Sequence, residues 1–297
     1  MSVADRFQTL LSWLDPSPRE VAALDVHRQT ITKRLKAYFD DVRVEPIGSH
    51  SRGTAVSGQS DLDLIAYLPG NEARWGGRLV HSDRLLRRVG EALKDRFQST
   101  DIGKDAQAIV VSFGGGDRVV DVVPAFWIDM IQPEGLKKKR PLFKIPDGSG
   151  GWFETSPAAH RTYLEAEDDA CGGRLRRTAQ LMKFWAARRG HVVLTSFHVE
   201  LVLAESGICR APGSYAQYLV DVFEVLAERG CRSLQDPLGI SRRIPAARTA
   251  GQIERTLTAV QGSLSLARRA RQEELGRNST EAYALWSRVF NGGFPSR

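Results

Sequence analysis

The sequence predicts an α+β protein in which a lobe built around a β-sheet, with flanking helices, precedes and packs on an α-helical lobe. Two β-branched runs in the first half of the chain, Ala108 to Phe113 and Arg118 to Phe126, are typical of buried strands. In the second half, apolar residues recur with the spacing of helices instead. A Pro- and Gly-rich stretch from Leu142 to Phe153 separates the two patterns. We predict that it is a loop that divides the chain into lobes 1–150 and 151–297.

The first lobe is predicted to contain a long helix near its N-terminus. Ser17 is a suitable capping residue, Pro18 suits the first helical position, and Glu20 completes a capping box. The apolar residues that follow have helical spacing and predict a helix that ends near residue 40: Val21, Leu24, Ile31, Leu35 and Phe39.

The other elements of both lobes are predicted from the same two kinds of pattern. In the first lobe they are a strand at about 42–47, a short helical turn at about 52–56, a strand at about 61–68, a helix at about 82–97, and a hairpin at 108–126 whose turn lies at 114–117, with residues 126–131 extending the sheet. In the second lobe, helices are expected at about 157–170, 174–189, 196–205, 215–228, 247–272 and 280–291. We expect the active site in the cleft between the lobes.

The segment from Ile47 to Leu64, IGSHSRGTAVSGQSDLDL, carries the strongest chemical signal. Because side chains in a strand alternate between faces, Asp61 and Asp63 are expected to project from the same face, about 7 Å apart. Neighbouring carboxylates repel each other unless a cation lies between them, and Mg²⁺ is commonly held by carboxylates together with substrate phosphates. The turn at Gly48 and Ser49 can direct backbone N–H groups and a hydroxyl at the β- and γ-phosphates of a nucleotide.

A third carboxylate, Asp121, lies in the predicted strand RVVDVVPAF. A lone carboxylate among valines is costly without a partner, which is either a metal ion or a structural salt bridge. If this strand pairs beside the strand of Asp61 and Asp63, the three carboxylates converge and can hold two Mg²⁺ ions, for which Mn²⁺ can substitute.

The motifs GSHSRGT, SDLDL and VDVVPAF together resemble the nucleotidyltransferase superfamily that shares the DNA polymerase β catalytic fold. Within it, the chain is most similar to the bacterial cGAS/DncV-like nucleotidyltransferases, which are relatives of oligoadenylate synthase. Three later segments resemble the helical half of that family: MKFWAARRG, LTSFHVELVL and LQDPLG. The resemblance covers the chain from about Leu24 to Asp236, and its first two motifs are the specific ones.

This resemblance implies a Mg²⁺-dependent enzyme that joins nucleoside triphosphates (NTPs) into cyclic or short linear oligonucleotides. Such products act as signals in bacterial anti-phage defence, where a separate effector reads them. The resemblance also implies that Lys183 and Ser196 bind the triphosphate. Asp236, in the LQDPLG segment, is a candidate for contact with the base of the bound nucleotide. The residue types alone leave three alternatives open: a solvated Lys183, a helix-capping Ser196, and an Asp236 that orders the loop before Pro237.

Four further residues of the GSHSRGT motif receive supporting roles. We expect His50 and Arg52 to be variable residues at the rim of the site. Gly53 and Thr54 are expected to support the turn rather than contact substrate.

Composition limits the classes of function. The net charge of +7 suits phosphate-rich partners, which are nucleotides and, as a minority interpretation, nucleic acid. The three cysteines are scattered without zinc-ligand spacing and predict reduced cytosolic thiols. No apolar run is long enough for a membrane span and no signal peptide is indicated, so we expect a cytoplasmic protein without a membrane partner.

Two other functions remain alternatives. One is an RNA 3′-end nucleotidyltransferase, of the CCA-adding or poly(A) type, which the basic residues would suit. The other is an inactive nucleotide- or RNA-binding module that keeps the fold, although a pure binder has no need for three converging carboxylates. An RNA or protein regulator that triggers activity is a further candidate partner.

Overall fold

The computed structural model of the protein describes residues 2–94, 101–113 and 118–295. The predicted hairpin turn at 114–117 and the predicted last turn of the helix at 82–97 lie outside the described residues. No helix among the described residues has both the length and the apolar character that crossing a membrane requires.

Helices occupy both ends of the described chain and most of its second half. They are α1 (Val3–Leu14), α2 (Pro18–Tyr38), the short α3 (Gly48–Arg52), α4 (Ser82–Lys94), α5 (Pro157–Ala170), α6 (Arg174–Ala187), α7 (Ser196–Ser206), α8 (Tyr215–Glu228), α9 (Ala250–Leu275) and α10 (Ser279–Val289). The six helices predicted after residue 156 are thus confirmed to within a few residues.

The strands are concentrated between α2 and α5. They are β1 (Arg43–Pro46), β2 (Leu62–Leu68), β3 (Arg74–Trp75), β4 (Arg78–Leu79), β5 (Asp101–Asp105), β6 (Ala108–Phe113), β7 (Arg118–Ile131), β8 (Arg140–Pro146), β9 (Trp152–Thr155), β10 (Leu234–Gln235) and β11 (Arg243–Ile244). The main sheet has the order β1-β2-β7-β6-β5, and β8 joins β7 and carries β9. Only β2 and β7 pair in parallel within this described sheet, so the sheet is mixed, as predicted.

Helix α2 begins as the sequence predicts and covers one face of the sheet together with α4. The Ser17 side chain accepts a hydrogen bond from Glu20 N, and Ile31 and Leu35 are fully buried. Val21 is an exception at 53% exposed, because it lines an open cavity at the start of the helix. The Glu20 carboxylate accepts hydrogen bonds from Ser57 Oγ at 2.8 Å and Gly58 N at 2.9 Å, so it also ties α2 to the loop before β2.

The predicted loop from Leu142 to Phe153 is wrong. Its residues belong mainly to β8 and β9, an antiparallel pair that extends the sheet beside the second half of β7. Its glycines mark a hairpin turn rather than a linker: Asp147 Oδ1 accepts from Ser149 N at 2.7 Å, and Gly150 has a φ of +97°. Turn residues inside a β-hairpin and those in a domain linker give the same compositional signal.

The helical lobe has its own core, and helix α1 belongs to it. Trp185 and Trp286 are fully buried there, and Phe7 of α1 packs edge-to-face on Trp286 with ring centroids 5.0 Å apart. We did not predict α1, although its apolar residues have helical spacing: Val3, Phe7, Leu10, Leu11 and Leu14. The division of the chain at residue 150 stays a prediction. The packing places the first residues with the second lobe and keeps β9 in the sheet.

Candidate active site

The parallel pairing of β2 and β7 places two of the three predicted carboxylates side by side. Asp63 lies directly opposite Asp121 in the register. Neighbouring strands are about 4.8 Å apart and paired residues share a face, so both carboxylates project from the same side of the sheet. Asp61 precedes the first residue of β2 and is exposed, so strand alternation does not fix its direction as we predicted.

The carboxylates lie within electrostatic reach of one another. Burial raises the pKa of Asp63 to about 7, with further raising contributions from Asp121 and Asp61, while Arg52 and Lys183 lower it. Burial likewise raises the pKa of Asp121 to about 6, and the negative charge of Asp61 adds to that effect. Two partly buried groups of like charge are therefore held together by the backbone register.

These carboxylates fit a hard divalent cation only in part. In the part of the chain that the structure describes, no three or more His, Cys, Asp or Glu side chains form a group that could hold a metal ion. The predicted convergence of all three is thus incomplete, because Asp61 lies outside the strand. Asp63 and Asp121 supply the oxygen ligands that Mg²⁺ prefers, and a cation would offset the unfavourable charge that raises their pKa values.

Position 48 requires a glycine because its backbone lies close to the Asp63 carboxylate. Gly48 has a φ of +65°, and a Cβ at this position would overlap the Asp63 carboxylate. The backbone holds this arrangement, because Ile47 N donates to Asp63 O at 2.8 Å. The predicted helical turn at 52–56 is wrong, since α3 already starts at Gly48 and ends at Arg52, where Gly53 follows as the capping residue with a φ of +70°.

Arg52 is not the rim residue that we predicted. Its guanidinium forms an ion pair with Glu200 of α7, whose side chain is only 1% exposed, and Thr54 Oγ1 donates to the same carboxylate. The guanidinium carbon also lies 5.2 Å from the ring centroid of Phe197. This cluster joins the GSHSRGT motif of the first lobe to the second lobe. The buried Thr54 takes part in this cluster through that hydrogen bond.

Lys183 is not a solvated lysine. Its Nζ donates to Thr54 O at 2.8 Å and lies 3.4 Å from Ser60 Oγ, and burial lowers its pKa to about 8. It lines a cavity of about 300 Å³ that also contains Ser60 and Ser196. Lys183 therefore holds the loop that precedes β2 while remaining next to a site where phosphate groups could lie.

A cleft of about 440 Å³ lies between the two lobes and brings several predicted residues together. Gly48, Ser49 and Asp63 line it from the first lobe, and Ser196 lines both this cleft and the cavity of Lys183. Ser196 is the first residue of α7, whose capping position is Thr195, so Ser196 is not a cap.

Asp236 does not line this cleft. It is 2% exposed, and its carboxylate accepts backbone hydrogen bonds from Leu238 N, Ile240 N and Ser241 N at 2.6–3.1 Å. Burial alone would raise the pKa of Asp236, but His160 and these N–H groups outweigh it and lower the pKa. The geometry thus favours the loop-ordering alternative over direct contact with a base.

His160 of α5 is a cleft residue that we did not predict. Its Nε2 lies 3.0 Å from Asp236 Oδ2, and its ring packs edge-to-face on Phe197 with centroids 5.1 Å apart. The two members of the pair are 76 positions apart, and so no local pattern in the sequence connects them. Arg52 and Glu200 were missed for the same reason, since they are 148 positions apart.

Known proteins are similar to this chain in sequence. The cyclic AMP-AMP-AMP synthase of Escherichia coli (strain MS 115-1) is 28% identical over 198 residues, which are 63% of this chain and 59% of that protein. A probable cyclic nucleotide synthase of Bacillus cereus (strain VD146) is 26% identical over 276 residues, which are 84% of this chain and 81% of that protein. The alignment to the E. coli relative thus spans less than two thirds of its length.

Solved structures show the same fold over nearly the whole chain. E. coli CdnC with ATP superposes with a TM-score of 0.73 at 19% identity and covers 99% of each chain. Vibrio cholerae DncV cyclic AMP-GMP synthase, in complex with a linear intermediate, gives a TM-score of 0.66 at 12% identity over 99% of this chain and 87% of that one. The fold is the polymerase β-like nucleotidyltransferase fold of these synthases, as predicted.

A family model described as the Second Messenger Oligonucleotide or Dinucleotide Synthetase domain matches residues 1–167. The match includes α3, β2 and β7, and with them the three predicted catalytic carboxylates. It covers more than half of the 297 residues. The chain therefore belongs to the Second Messenger Oligonucleotide or Dinucleotide Synthetase domain family.

Proposed function

We propose that this protein is a Mg²⁺-dependent nucleotidyltransferase that joins NTPs into a cyclic or short linear oligonucleotide signal. The observation that carries the proposal is the parallel register of Asp63 and Asp121, with the Asp63 carboxylate seated against Gly48. Asp63 and the Gly-Ser segment line one wall of the cleft, and Asp121 lies beside Asp63 on the neighbouring strand. A protein that only bound nucleotides would gain nothing from these adjacent carboxylates.

The residues of the chain have separate tasks in this mechanism. Asp61, Asp63 and Asp121 would hold the Mg²⁺ ions. Asp61 lies within electrostatic reach of the other two carboxylates. When bound, divalent ions lower the pKa of the attacking hydroxyl and offset the charge of the triphosphate. Gly48 leaves room for the Asp63 carboxylate.

Ser49, Lys183 and Ser196 would fix the triphosphate of the donor so that its α-phosphorus lies in line with the attacking hydroxyl of a second nucleotide. The Arg52–Glu200 pair holds α3 against α7, and therefore keeps Ser49 and Ser196 on facing walls of the cleft. Fixing the reacting groups in this way removes much of the entropic cost of a reaction between two nucleotides.

The relatives suggest substrates and a setting. One relative is named a cyclic AMP-AMP-AMP synthase, and a similar structure contains ATP. We therefore propose ATP as a substrate, with the product read by a separate effector in cytoplasmic anti-phage signalling of the CBASS type. A structure of E. coli CdnC with a HORMA protein is also similar, which makes a protein regulator a candidate partner.

Mass spectrometry of the products from an equal mixture of the four NTPs and Mg²⁺ tests this proposal. We expect pyrophosphate release and small products that phosphatase does not degrade. Addition of tRNA to the same reaction separates the alternatives, because lengthened RNA would indicate an RNA 3′-end enzyme. Absence of pyrophosphate release in every reaction, with or without RNA, would support the inactive binding module instead.

A further inference from the structure

The pair of His160 and Asp236 forms a polar site in the cleft that the mechanism above does not use. His160 is 5% exposed and sits on the fourth position of α5, where it lines the cleft beside Thr155 and Phe197. Its partner Asp236 lies behind it, away from the cleft, and is itself ordered by three backbone N–H groups. The pair is therefore built to hold the imidazole in one orientation.

The hydrogen bond to Asp236 determines which ring nitrogen of His160 carries the proton. The low pKa of Asp236 keeps it a carboxylate, which can only accept hydrogen bonds. Nε2 must therefore be the protonated nitrogen of the neutral ring, and Nδ1 is left as an acceptor.

This acceptor faces the cleft. Nδ1 of His160 has no hydrogen-bond partner among the described residues, as the bond of the side chain is the one from Nε2. Nδ1 is also not fully buried, since the fully buried polar side-chain atoms without a partner in the described part of the chain belong to other residues: Arg6, Ser82, His198, Glu274 and Trp286. Nδ1 thus has neither a partner among the described residues nor full burial, and the cleft is the cavity that the His160 side chain lines.

We propose that Nδ1 of His160 reads the nucleobase, by accepting a hydrogen bond from the exocyclic amine of adenine or cytosine. Guanine and uracil present a carbonyl oxygen at the corresponding position, which would face the lone pair of Nδ1 and be disfavoured. This inference rests on the proposed function, because it assumes that NTPs occupy this cleft. His160 would then determine which nucleobase is bound, and Asp236 is a positioning residue that acts through the imidazole.

Measurement of nucleotide affinity tests the inference without depending on turnover. Calorimetric titration would compare ATP with purine riboside triphosphate, which has the same ring without the amine, in the presence of Ca²⁺ to prevent turnover. We expect the wild-type protein to bind ATP about tenfold more tightly, which is the usual effect of one lost hydrogen bond in a dry site. ATP and CTP should also bind more tightly than GTP and UTP.

Two variants at the same position separate base recognition from structural support. His160→Gln places its amide near the position of Nε2, so it keeps the bond to Asp236 but loses the cleft-facing acceptor. His160→Asn places its amide near Nδ1 and has the reverse effect. We expect His160→Gln to bind ATP and purine riboside triphosphate equally while its melting temperature stays near that of the wild type, and His160→Asn to retain part of the preference for ATP.

Equal affinity of the wild-type protein for the two purine nucleotides would overturn the inference without any variant. The same holds for tighter binding of GTP or UTP, or for a His160→Gln protein that keeps the wild-type preference. These outcomes differ from a failure of the proposed function, which would appear as absence of pyrophosphate release from wild-type protein with all four NTPs and Mg²⁺.

Discussion

On the sheet side of the cleft, Asp63 and Asp121 are like charges held next to each other. On the helical side, Glu200 and Asp236 are buried charges behind the cleft surface, and each has a hydrogen-bonded partner. The carboxylates of the sheet have raised pKa values, and the pKa of Asp236 is lowered. The sheet wall, formed around Asp63 and Asp121, therefore destabilises the folded protein and is suited to bind a cation. The helical wall, with the buried Glu200 and Asp236 behind its surface, stabilises the fold and keeps the partners of these carboxylates in position.

This difference predicts opposite effects of mutation on stability and on activity. Removing a charge from the sheet wall should eliminate activity without destabilising the fold. Removing a charge from the helical wall should destabilise the fold first, because its partner is left buried and unpaired. Each prediction below tests one side of this comparison.

The largest effect is expected for Asp121→Asn. It removes a proposed metal ligand, and the loss of several kcal/mol of transition-state stabilisation corresponds to a decrease in turnover of about a thousandfold. The melting temperature should stay the same or rise, since a repulsive charge next to Asp63 is lost. Pyrophosphate release and thermal unfolding measure the two effects. Asp129→Asn, at an exposed position of the same strand, is the matched control and should behave as wild type.

Substantial synthesis by folded Asp121→Asn protein would contradict the assignment of the sheet wall. A large loss of stability in that variant would contradict the claim that its two carboxylates repel each other.

The next largest effect is expected for Glu200→Gln on the helical wall. It leaves the Arg52 guanidinium, which is 13% exposed, without its counter-charge, and we expect a loss of about 3 kcal/mol in the free energy of unfolding. Urea denaturation measures this loss. Glu224→Gln breaks the pair with Arg268 on the surface and should cost less than about 1 kcal/mol. Equal effects of the two variants would show that the buried pair does not stabilise the lobe contact.

A smaller effect is expected for Gly48→Ala, which tests the fit between α3 and the sheet wall. The new Cβ would overlap the Asp63 carboxylate, whereas Gly58→Ala introduces a Cβ into open space at nearly the same φ, +68° against +65°. Both variants carry the strain of a positive φ, about 1 kcal/mol. We expect only Gly48→Ala to lose further stability and activity. Similar turnover by the two variants would show that the contact with Asp63 does not matter.

The smallest effect is expected from pH. Asp63 and Asp121 have folded-state pKa values of about 7 and about 6, above the ordinary value of 3.8, so these two groups bind more protons in the folded than in the unfolded protein between these limits. Stability should therefore fall as the pH rises from about 4 to about 7. Urea denaturation in EDTA would measure this slope, which should be weaker in Asp121→Asn. The same slope in both proteins would place its origin elsewhere.

The two walls also differ in how far the sequence predicts them. Asp63 and Asp121 were predictable because strand alternation and β-branched runs are local patterns, and the parallel register then brings them together. Asp61 was placed in the strand by the same rule, which does not apply one residue before the strand begins. Glu200 contacts a residue 148 positions away, and His160 contacts one 76 positions away. The periodicity of a sequence does not predict contacts between such distant residues.

The errors in the predicted fold have the same origin. Prolines and glycines between Leu142 and Phe153 indicated a loop, but the segment adds β8 and β9 to the edge of the sheet because β7 is long enough to pair with it. Helix α1 could have been predicted from the sequence, because Ser2 and Asp5 form a capping box at the start of its apolar pattern. That α1 packs against α10 at the other end of the chain could not be read from the sequence.

Binding of Mn²⁺ tests most directly whether Asp63 and Asp121 form a shared metal site. Electron paramagnetic resonance would follow free Mn²⁺ during titration into protein with a nonhydrolysable ATP analogue. We predict saturable binding by the wild-type protein and by Asp129→Asn, and at least a tenfold weaker affinity in both Asp63→Asn and Asp121→Asn. Wild-type affinity in folded Asp121→Asn protein would contradict the account.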